Sequence, residues 1–219
     1  MRKQEKKENA PFFSVVLTTY NRAILLKRAL QSLFDQTESD WEAIIVDDGS
    51  EDDTFVQISS YLHADRKIRY TKQMNQGPAA AKNTGMLLST GNFLTFLDSD
   101  DEYRSDHLKL RKDLLKQHPA VGFLYGGVKI IGNKFVPDKN KPGETINLSD
   151  CVIGGTFFIK REAALSLNGF ENIPLGNDAA FFEKVKKAGI MTMETTFPSY
   201  IYHREPHQSI THNFRRGGE

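Results

Sequence analysis

The sequence predicts a mostly parallel, doubly wound α/β sheet with helices on both faces. Three observations predict it. Four short apolar runs of strand length recur through roughly the first hundred residues, each of the first three is followed by a segment with helical features, and each run stops at a polar or acidic cluster. Alternation of this kind implies parallel strands joined by right-handed helical crossovers.

Taken in order, "PFFSVVLTTY" is a β-branched run of the kind that fills a fully buried strand, and it ends at Asn21. Leu25, Leu26, Ala29, Leu30, Leu33 and Phe34 then recur at helical spacing up to Gln36. "WEAIIVDDGS" is a second buried strand stopped by Asp-Gly, and Phe55, Val56, Ile58, Ser59 and Leu62 suggest a second helix. "KIRYTK" is the third strand. It leads into "NQGPAAAKNTGMLLSTG", where Pro78 suits the first helical position and Gly91 the stop. "NFLTFLDSDD" is the fourth strand.

A further helix spans 108–118, after which the pattern loosens. "VGFLYGGVKIIGNKFVP" reads as two or three strands with a hairpin turn at Gly132 and Asn133, and "PDKNKPGET" as a polar loop. "GGTFFIKREAALSLNGF" reads as a strand and a short helix, "NDAAFFEKVKKAG" as an amphipathic helix, and "SYIYH" as a last strand. With no repeat, low-complexity tract or dividing linker, the expected organisation is a charged extension at 1–10, one domain at 11–207 and a tail at 208–219.

Composition narrows the function classes. The 219 residues carry 29 Lys+Arg against 28 Asp+Glu, a net charge of +1, so there is no global electrostatic footprint for nucleic acid and any electropositive site is local. The lone Cys151 forms no internal disulfide and favours a reducing compartment. "MRKQEKKENA" lacks the apolar stretch of a secretion signal, and no window approaches a membrane span. The expected location is cytoplasmic, with peripheral attachment at the inner face of a membrane left open.

In an open parallel sheet, ligands bind in the crevice outside the carboxyl ends of the strands. "TTYN", "DDGS" and "DSDD" all fall at that edge, on strands one, two and four. Any one of them is explained by capping or turn formation, but three converging on one edge point to a binding site. Asp98 and Asp100 raise the sharpest question. Two residues apart in extended backbone, they leave the same face, and two carboxylates about 4 Å apart cost roughly 4 kcal/mol near a protein surface. A divalent Mg²⁺ or Mn²⁺ that also bridges phosphate oxygens would offset that cost.

Other motifs inform by absence. No G-x-x-x-x-G-K-[ST] is present and no G-x-G-x-x-G follows the first strand, so the P-loop and dinucleotide-binding readings lose support. "HREPH" at 203–207 has the outline of a zinc-protease helix, but Arg204 stands where Glu is needed and Pro206 would disrupt the helix.

Together, "VVLTTYNR", "AIIVDDGSEDDT", "NQGPAAAKNTGMLLSTGNFLTFLDSDDEY", "GGTFFIKREAALSLNGF" and "NDAAFF" resemble a family 2 glycosyltransferase of the GT-A fold over residues 13–207. The resemblance implies a smaller mixed or antiparallel sheet on the acceptor side, a nucleotide-diphosphosugar donor, and a Mn²⁺ or Mg²⁺ ion held by the D-x-D. It also implies inverting transfer to an acceptor hydroxyl. By the same resemblance Thr18 and Tyr20 line the nucleotide pocket, Asp48 accepts from the base, and Asp47 serves the pocket or only the turn. Lys82 stands where such proteins often have Arg, so a point charge replaces a planar guanidinium. Asp98 and Asp100 flank the ribose and the metal, with Asp100 the direct ligand, while Asp101 is open as a helix cap.

Asp178 matches the family's base, its other reading being a helix N-cap, and Asn177 stands where a second acidic residue is common. Gly155 and Thr156 fall near the acceptor and donor sugar. His207 resembles a late histidine that reaches the metal, with His203 competing for the role, and Arg215 and Arg216 either close over phosphates or belong to a solvated tail. Uridine is expected by family frequency alone. The acceptor, a saccharide or lipid-linked saccharide in polysaccharide or glycoconjugate synthesis, is set by the variable stretch 124–176. A sugar-nucleotide nucleotidyltransferase would share the sheet and metal but needs a Gly-rich basic loop where this chain has "TTYNRA". A non-catalytic sugar- or nucleotide-binding module would need neither the metal carboxylates nor Asp178.

Overall fold

The computed structural model describes residues 10–64, 67–138, 141 and 143–204. His207, Arg215, Arg216, the tail at 208–219 and all but the last residue of the charged extension lie outside the described residues. The first half runs β1 (Phe13–Thr19), α1 (Ala23–Phe34), β2 (Trp41–Asp47), α2 (Thr54–Ala64), β3 (Ile68–Lys72), α3 (Pro78–Leu88) and β4 (Phe93–Asp98). The chain continues through β5 (Glu102–Tyr103), α4 (His107–Gln117), β6 (Phe123–Tyr125), β7 (Val128–Gly132), β8 (Phe135–Pro137) and β9 (Thr145–Asn147). Two 3₁₀ turns, Leu148–Asp150 and Gly154–Thr156, precede β10 (Phe158–Lys160), α5 (Arg161–Ser166), α6 (Asn177–Lys187), β11 (Thr192–Glu194) and β12 (Tyr200–Arg204).

Seven strands form the main sheet in the order β11-β6-β10-β4-β1-β2-β3, in which β10 alone runs antiparallel to its neighbours. A three-stranded mixed sheet, β5-β12-β7, and the β8-β9 hairpin complete the strands. This is the expected mostly parallel sheet with a smaller mixed one.

Strand alternation divides the interior in two. Phe13, Val15 and Leu17 of β1 pack with Leu26, Leu30 and Leu33 of α1, Ile58 of α2 and Leu108 of α4. Val16, one residue out of phase, packs with Ala79 and Met86 of α3, Ala164 of α5 and Phe181 and Val185 of α6. Burying each such side chain is worth about 1.5–3 kcal/mol, which is why the two faces hold their register. The same alternation decides where the acidic strand end points. Leu94 and Phe96 lie with the α3 and α6 core, so Asp98, next in phase, projects toward those two helices.

Helix α3 approaches β1 closely because its inner positions are small. A Cβ at Gly85 would collide with the Val16 side chain. The helix therefore delivers Lys82, one turn earlier, to the ends of the strands.

The expected Gly132-Asn133 hairpin does not form. β7 pairs in parallel with the distant β12, and β8 turns away to pair with β9. The Asn133 amide donates to the Arg204 carbonyl, which lies where a Cβ at Gly132 would stand, so the glycine at φ 94° serves that contact rather than a turn. α3 stops at Leu88, ahead of the expected Gly91, and α1 at Phe34 rather than Gln36.

Candidate active site

A cleft of about 970 Å³ opens over the carboxyl ends of β1, β2 and β4. Its floor holds Thr18, Thr19, Tyr20, Asn21, Arg22, Asp48, Asp98 and Asp100, its walls Lys82 and the first turn of α6 with Asp178, and its roof the β8-β9 hairpin and the following turn. Among the described residues, the lining carries two cations, Arg22 and Lys82, against seven carboxylates, Asp48, Asp98, Asp100, Asp138, Asp150, Asp178 and Glu183.

The turn from β1 into α1 is built by Asn21, in left-handed backbone at φ 50°, which Asn tolerates better than most residues. Its amide donates to Ser50 Oγ at 2.9 Å, and its Oδ1 accepts from the Glu51 amide at 2.8 Å, so the ends of β1 and β2 are locked together. Arg22 follows at once, its guanidinium 3.1 Å from the Asp100 carboxylate. From the next turn of α1, Arg28 donates to the Asp100 carbonyl.

Lys82 joins the two sides of the cleft. Only 4% exposed, its ammonium lies 3.4 Å from Asp98 and 3.6 Å from Asp178, over the Phe170 ring. Burial alone would lower its pKa, but Asp178 first and Asp98 next outweigh that and drive it above the ordinary lysine value. Each carboxylate of the D-x-D thus has its own counter-ion, Lys82 for Asp98 and Arg22 for Asp100. Compensation is incomplete at Asp100, whose pKa is raised by burial and then by the Asp98 charge, against the pull of Arg22.

Asp178 is the second residue of α6; Gly176, in left-handed conformation, caps the helix, so Asp178 is not the N-cap. Its Oδ2 accepts from the Gly154 amide at 2.9 Å, while Oδ1 is buried and turned toward Lys82. A Cβ at Gly154 would overlap this carboxylate, so the glycine is what lets the amide reach it. With Oδ1 buried, what remains of the side chain's exposure, about a quarter, lies elsewhere on the group.

The model for "Glycosyl transferase family 2" matches residues 14–174, well over half of the chain. The chain belongs to glycosyl transferase family 2. Among similar proteins, the GalNAc(5)-diNAcBac-PP-undecaprenol beta-1,3-glucosyltransferase of Campylobacter jejuni is 29% identical over 89% of this chain and 66% of its own. The UDP-Glc:alpha-D-GlcNAc-diphosphoundecaprenol beta-1,3-glucosyltransferase WfgD of Escherichia coli is 29% identical over 64% of this chain and 56% of its own. An uncharacterized glycosyltransferase of Rickettsia felis is 36% identical over 49% of this chain, and the match spans 18% of that protein. The matches therefore span less than two thirds of these relatives' own lengths. S. aureus TarS 1-349 in complex with UDP-GlcNAc superposes with a TM-score of 0.77 at 21% identity, over 92% of this chain and 60% of that one. The mannosyltransferase PcManGT of Pyrobaculum calidifontis, in complex with GDP-Man and Mn²⁺, gives 0.73 at 19%, over 94% and 60%. The fold is of the GT-A type.

The fold decides between the open readings of some residues of this family 2 domain and moves others away from the cleft. Asp47 does not line the cleft: it points to the opposite face, where Oδ1 accepts from the Ser50 amide and Oδ2 from the Tyr70 hydroxyl, and so serves the turn. Asp48 does line the cleft, but its oxygens already accept from Gln73 Nε2 and the Gln76 and Gly77 amides, so it also holds the loop that starts α3. Gly155 is buried against the Tyr200 ring, and Thr156 is tied to Ile153 and Gly126. Neither reaches the cleft; within this segment it is Gly154 that acts on the site. Asp101 caps no helix, since α4 begins at His107. It is buried and accepts from the Tyr200 hydroxyl and the His203 amide, and burial, with the Asp100 and Asp98 charges behind it, raises its pKa well above the ordinary Asp value. The His203 ring turns to Glu102 at 2.7 Å, away from the cleft.

Sequence reasoning passed over Arg22, Gly154 and Tyr202, all at the site. Arg22 carried a signal, a cation directly after the Asn that ends strand one. Gly154 and Tyr202 gave none, because their positions depend on the packing of α6 and β12.

Proposed function

We propose that this domain transfers a sugar from a nucleotide-diphosphosugar, with uridine the expected base, to an acceptor hydroxyl, with inversion and with a divalent cation. The observation that carries the reading is the junction Asp98–Lys82–Asp178, which ties the expected donor carboxylate to the expected base across one cleft. The relatives' names, which include a UDP-Glc donor and undecaprenol-linked acceptors, support a lipid-linked saccharide acceptor.

The residues fit a hard cation. Asp98 and Asp100 offer oxygen donors in a cleft where, among the described residues, carboxylates outnumber cations. Among the described residues no three His, Cys, Asp or Glu side chains converge on one point, which suits a Mg²⁺- or Mn²⁺-type ion held by one or two carboxylates and substrate phosphates. When bound, such an ion neutralises charge growing on the departing diphosphate. His207, outside the described residues, is a proposed additional ligand.

The chain's own groups do the rest. Tyr20, 46% exposed, offers a ring to the base, and Thr18 and Asp48 line the same cleft. Asp178 takes the acceptor proton at Oδ2 while the Gly154 amide and Lys82 hold its plane. Among the described residues no helix is long and apolar enough to cross a membrane, and peripheral attachment is left to experiment. The test is a panel of nucleotide-sugars assayed for hydrolysis with and without Mn²⁺, then for transfer to saccharide acceptors. Turnover of none of them would overturn the reading.

A further inference from the structure

The geometry points to Arg22 as a placeholder for the cation: it neutralises Asp100 in the ligand-free protein and releases it when a diphosphate arrives to take the guanidinium, so that metal and nucleotide enter as one unit. This inference rests on the metal-dependent donor reading above. The pair is direct, at 3.1 Å, with both side chains one-fifth exposed, so a ligand entering the cleft can reach it. Its aim is fixed by the left-handed turn at Asn21 and by Arg28 on the Asp100 carbonyl.

Two exclusions single out Arg22. Arg22 engages Oδ2 of Asp100, and its positive charge disfavours a divalent ion on the same carboxylate, so the ion binds more readily once the guanidinium moves away. Lys82, the only other cation lining the described cleft, is buried and already shared by Asp98 and Asp178, so it has no freedom to follow an incoming ligand. The Arg22 guanidinium carries five donors in a fork suited to two phosphate oxygens, which makes a diphosphate the natural second partner. A nucleoside monophosphate offers half of that. The protein alone should then bind free metal poorly, and each of metal and diphosphate should strengthen the other.

The experiment measures Mn²⁺ binding by loss of the free-ion electron paramagnetic resonance signal, with and without UDP or UMP. Wild type, Arg22→Gln and Arg22→Lys are compared, each checked for folding by its thermal midpoint. In wild type, UDP is expected to tighten Mn²⁺ binding at least tenfold, and UMP much less. Arg22→Gln is expected to bind Mn²⁺ alone at least fivefold more tightly than wild type and to lose most of the gain from UDP. Arg22→Lys, which keeps the charge without the fork, is expected to bind Mn²⁺ alone within twofold of wild type and to lose part of the UDP gain. If Arg22→Gln binds Mn²⁺ alone no better than wild type, or keeps the full UDP gain, the placeholder role is wrong while the donor reading stands. If wild type shows no joint binding of Mn²⁺ and UDP, both fall.

Discussion

Replacing Asp178 by Asn tests the base and the junction at once. If Asp178 were a helix cap, as one sequence reading allows, the isosteric exchange would cost little stability, because Asn caps helices as well as Asp. The structure predicts otherwise. Asn keeps an acceptor for the Gly154 amide, but it turns a neutral amide toward the buried Lys82 ammonium, 3.6 Å away. The gross attraction lost at that distance is roughly 4–5 kcal/mol at an effective dielectric of about 20. Lys82 retains Asp98 at 3.4 Å, and Asp178 is about a quarter exposed, so the net loss falls near the ordinary range for a charged hydrogen bond, about 2 kcal/mol. For a chain of this size that is about 4–8 °C in thermal midpoint. Because Asn takes no proton, transfer should fall on the order of 10²–10⁴-fold, with donor affinity nearly kept. Midpoint, UDP binding and transfer rate are measured on the same preparation. A variant that binds UDP and transfers at a near wild-type rate would remove Asp178 from the chemistry and turn attention to Glu183, while an unchanged midpoint would refute the Lys82 junction.

Other perturbations separate structure from binding. Asp48→Ala orphans the Gln76 and Gly77 amides and should lower stability by about 1–3 kcal/mol as well as weaken UDP binding; an unchanged midpoint in thermal denaturation would contradict the loop-holding role. Gly154→Ala forces a methyl into the Asp178 carboxylate and should depress transfer at least tenfold with UDP affinity kept, and equal transfer by the variant would show that Oδ2 needs no such support. Glu42, far from the cleft, is desolvated, but the hydrogen bonds from Ser14 and Thr90 outweigh this and hold its pKa below the ordinary value. The stability it adds is present above the unfolded value of about 4.3 and lost as pH falls through the lower folded value. Glu42→Gln should therefore be less stable than wild type at neutral pH, with the gap closing below about pH 4; a gap independent of pH in denaturant titrations would refute this.

The first half of the chain was legible because its signals are local. Val15, Leu17, Ile44 and Ile45 sit in continuous buried runs, and Asn21, Gly49 and Pro78 mark their ends in residue type alone. Asp98 and Asp100 were legible as a pair for the same reason. Beyond Phe123 the strands shrink to three or five residues and take their partners from far along the chain, as β7 takes β12, so the local Gly-Asn signal at Gly132 pointed to a hairpin that tertiary pairing overrode. The counter-ions of the D-x-D were illegible because Arg22 lies 78 positions before Asp100, and Lys82 meets Asp178 only where α3 and α6 pack on one sheet face. Family order placed Gly155 and Thr156 near the sugar, but a shift of one residue decides which backbone amide reaches the Asp178 carboxylate, and in the fold it is Gly154.

The most direct test is calorimetry of UDP binding to the intact chain in Mn²⁺ and, separately, in EDTA. With carboxylates outnumbering cations seven to two among the described residues around the cleft, a dianionic or more highly charged nucleotide should bind at least tenfold more tightly with Mn²⁺ than without. Equal affinity in the two buffers would contradict a metal-assisted donor site at Asp98 and Asp100, and no binding in either would contradict a uridine nucleotide site in this cleft.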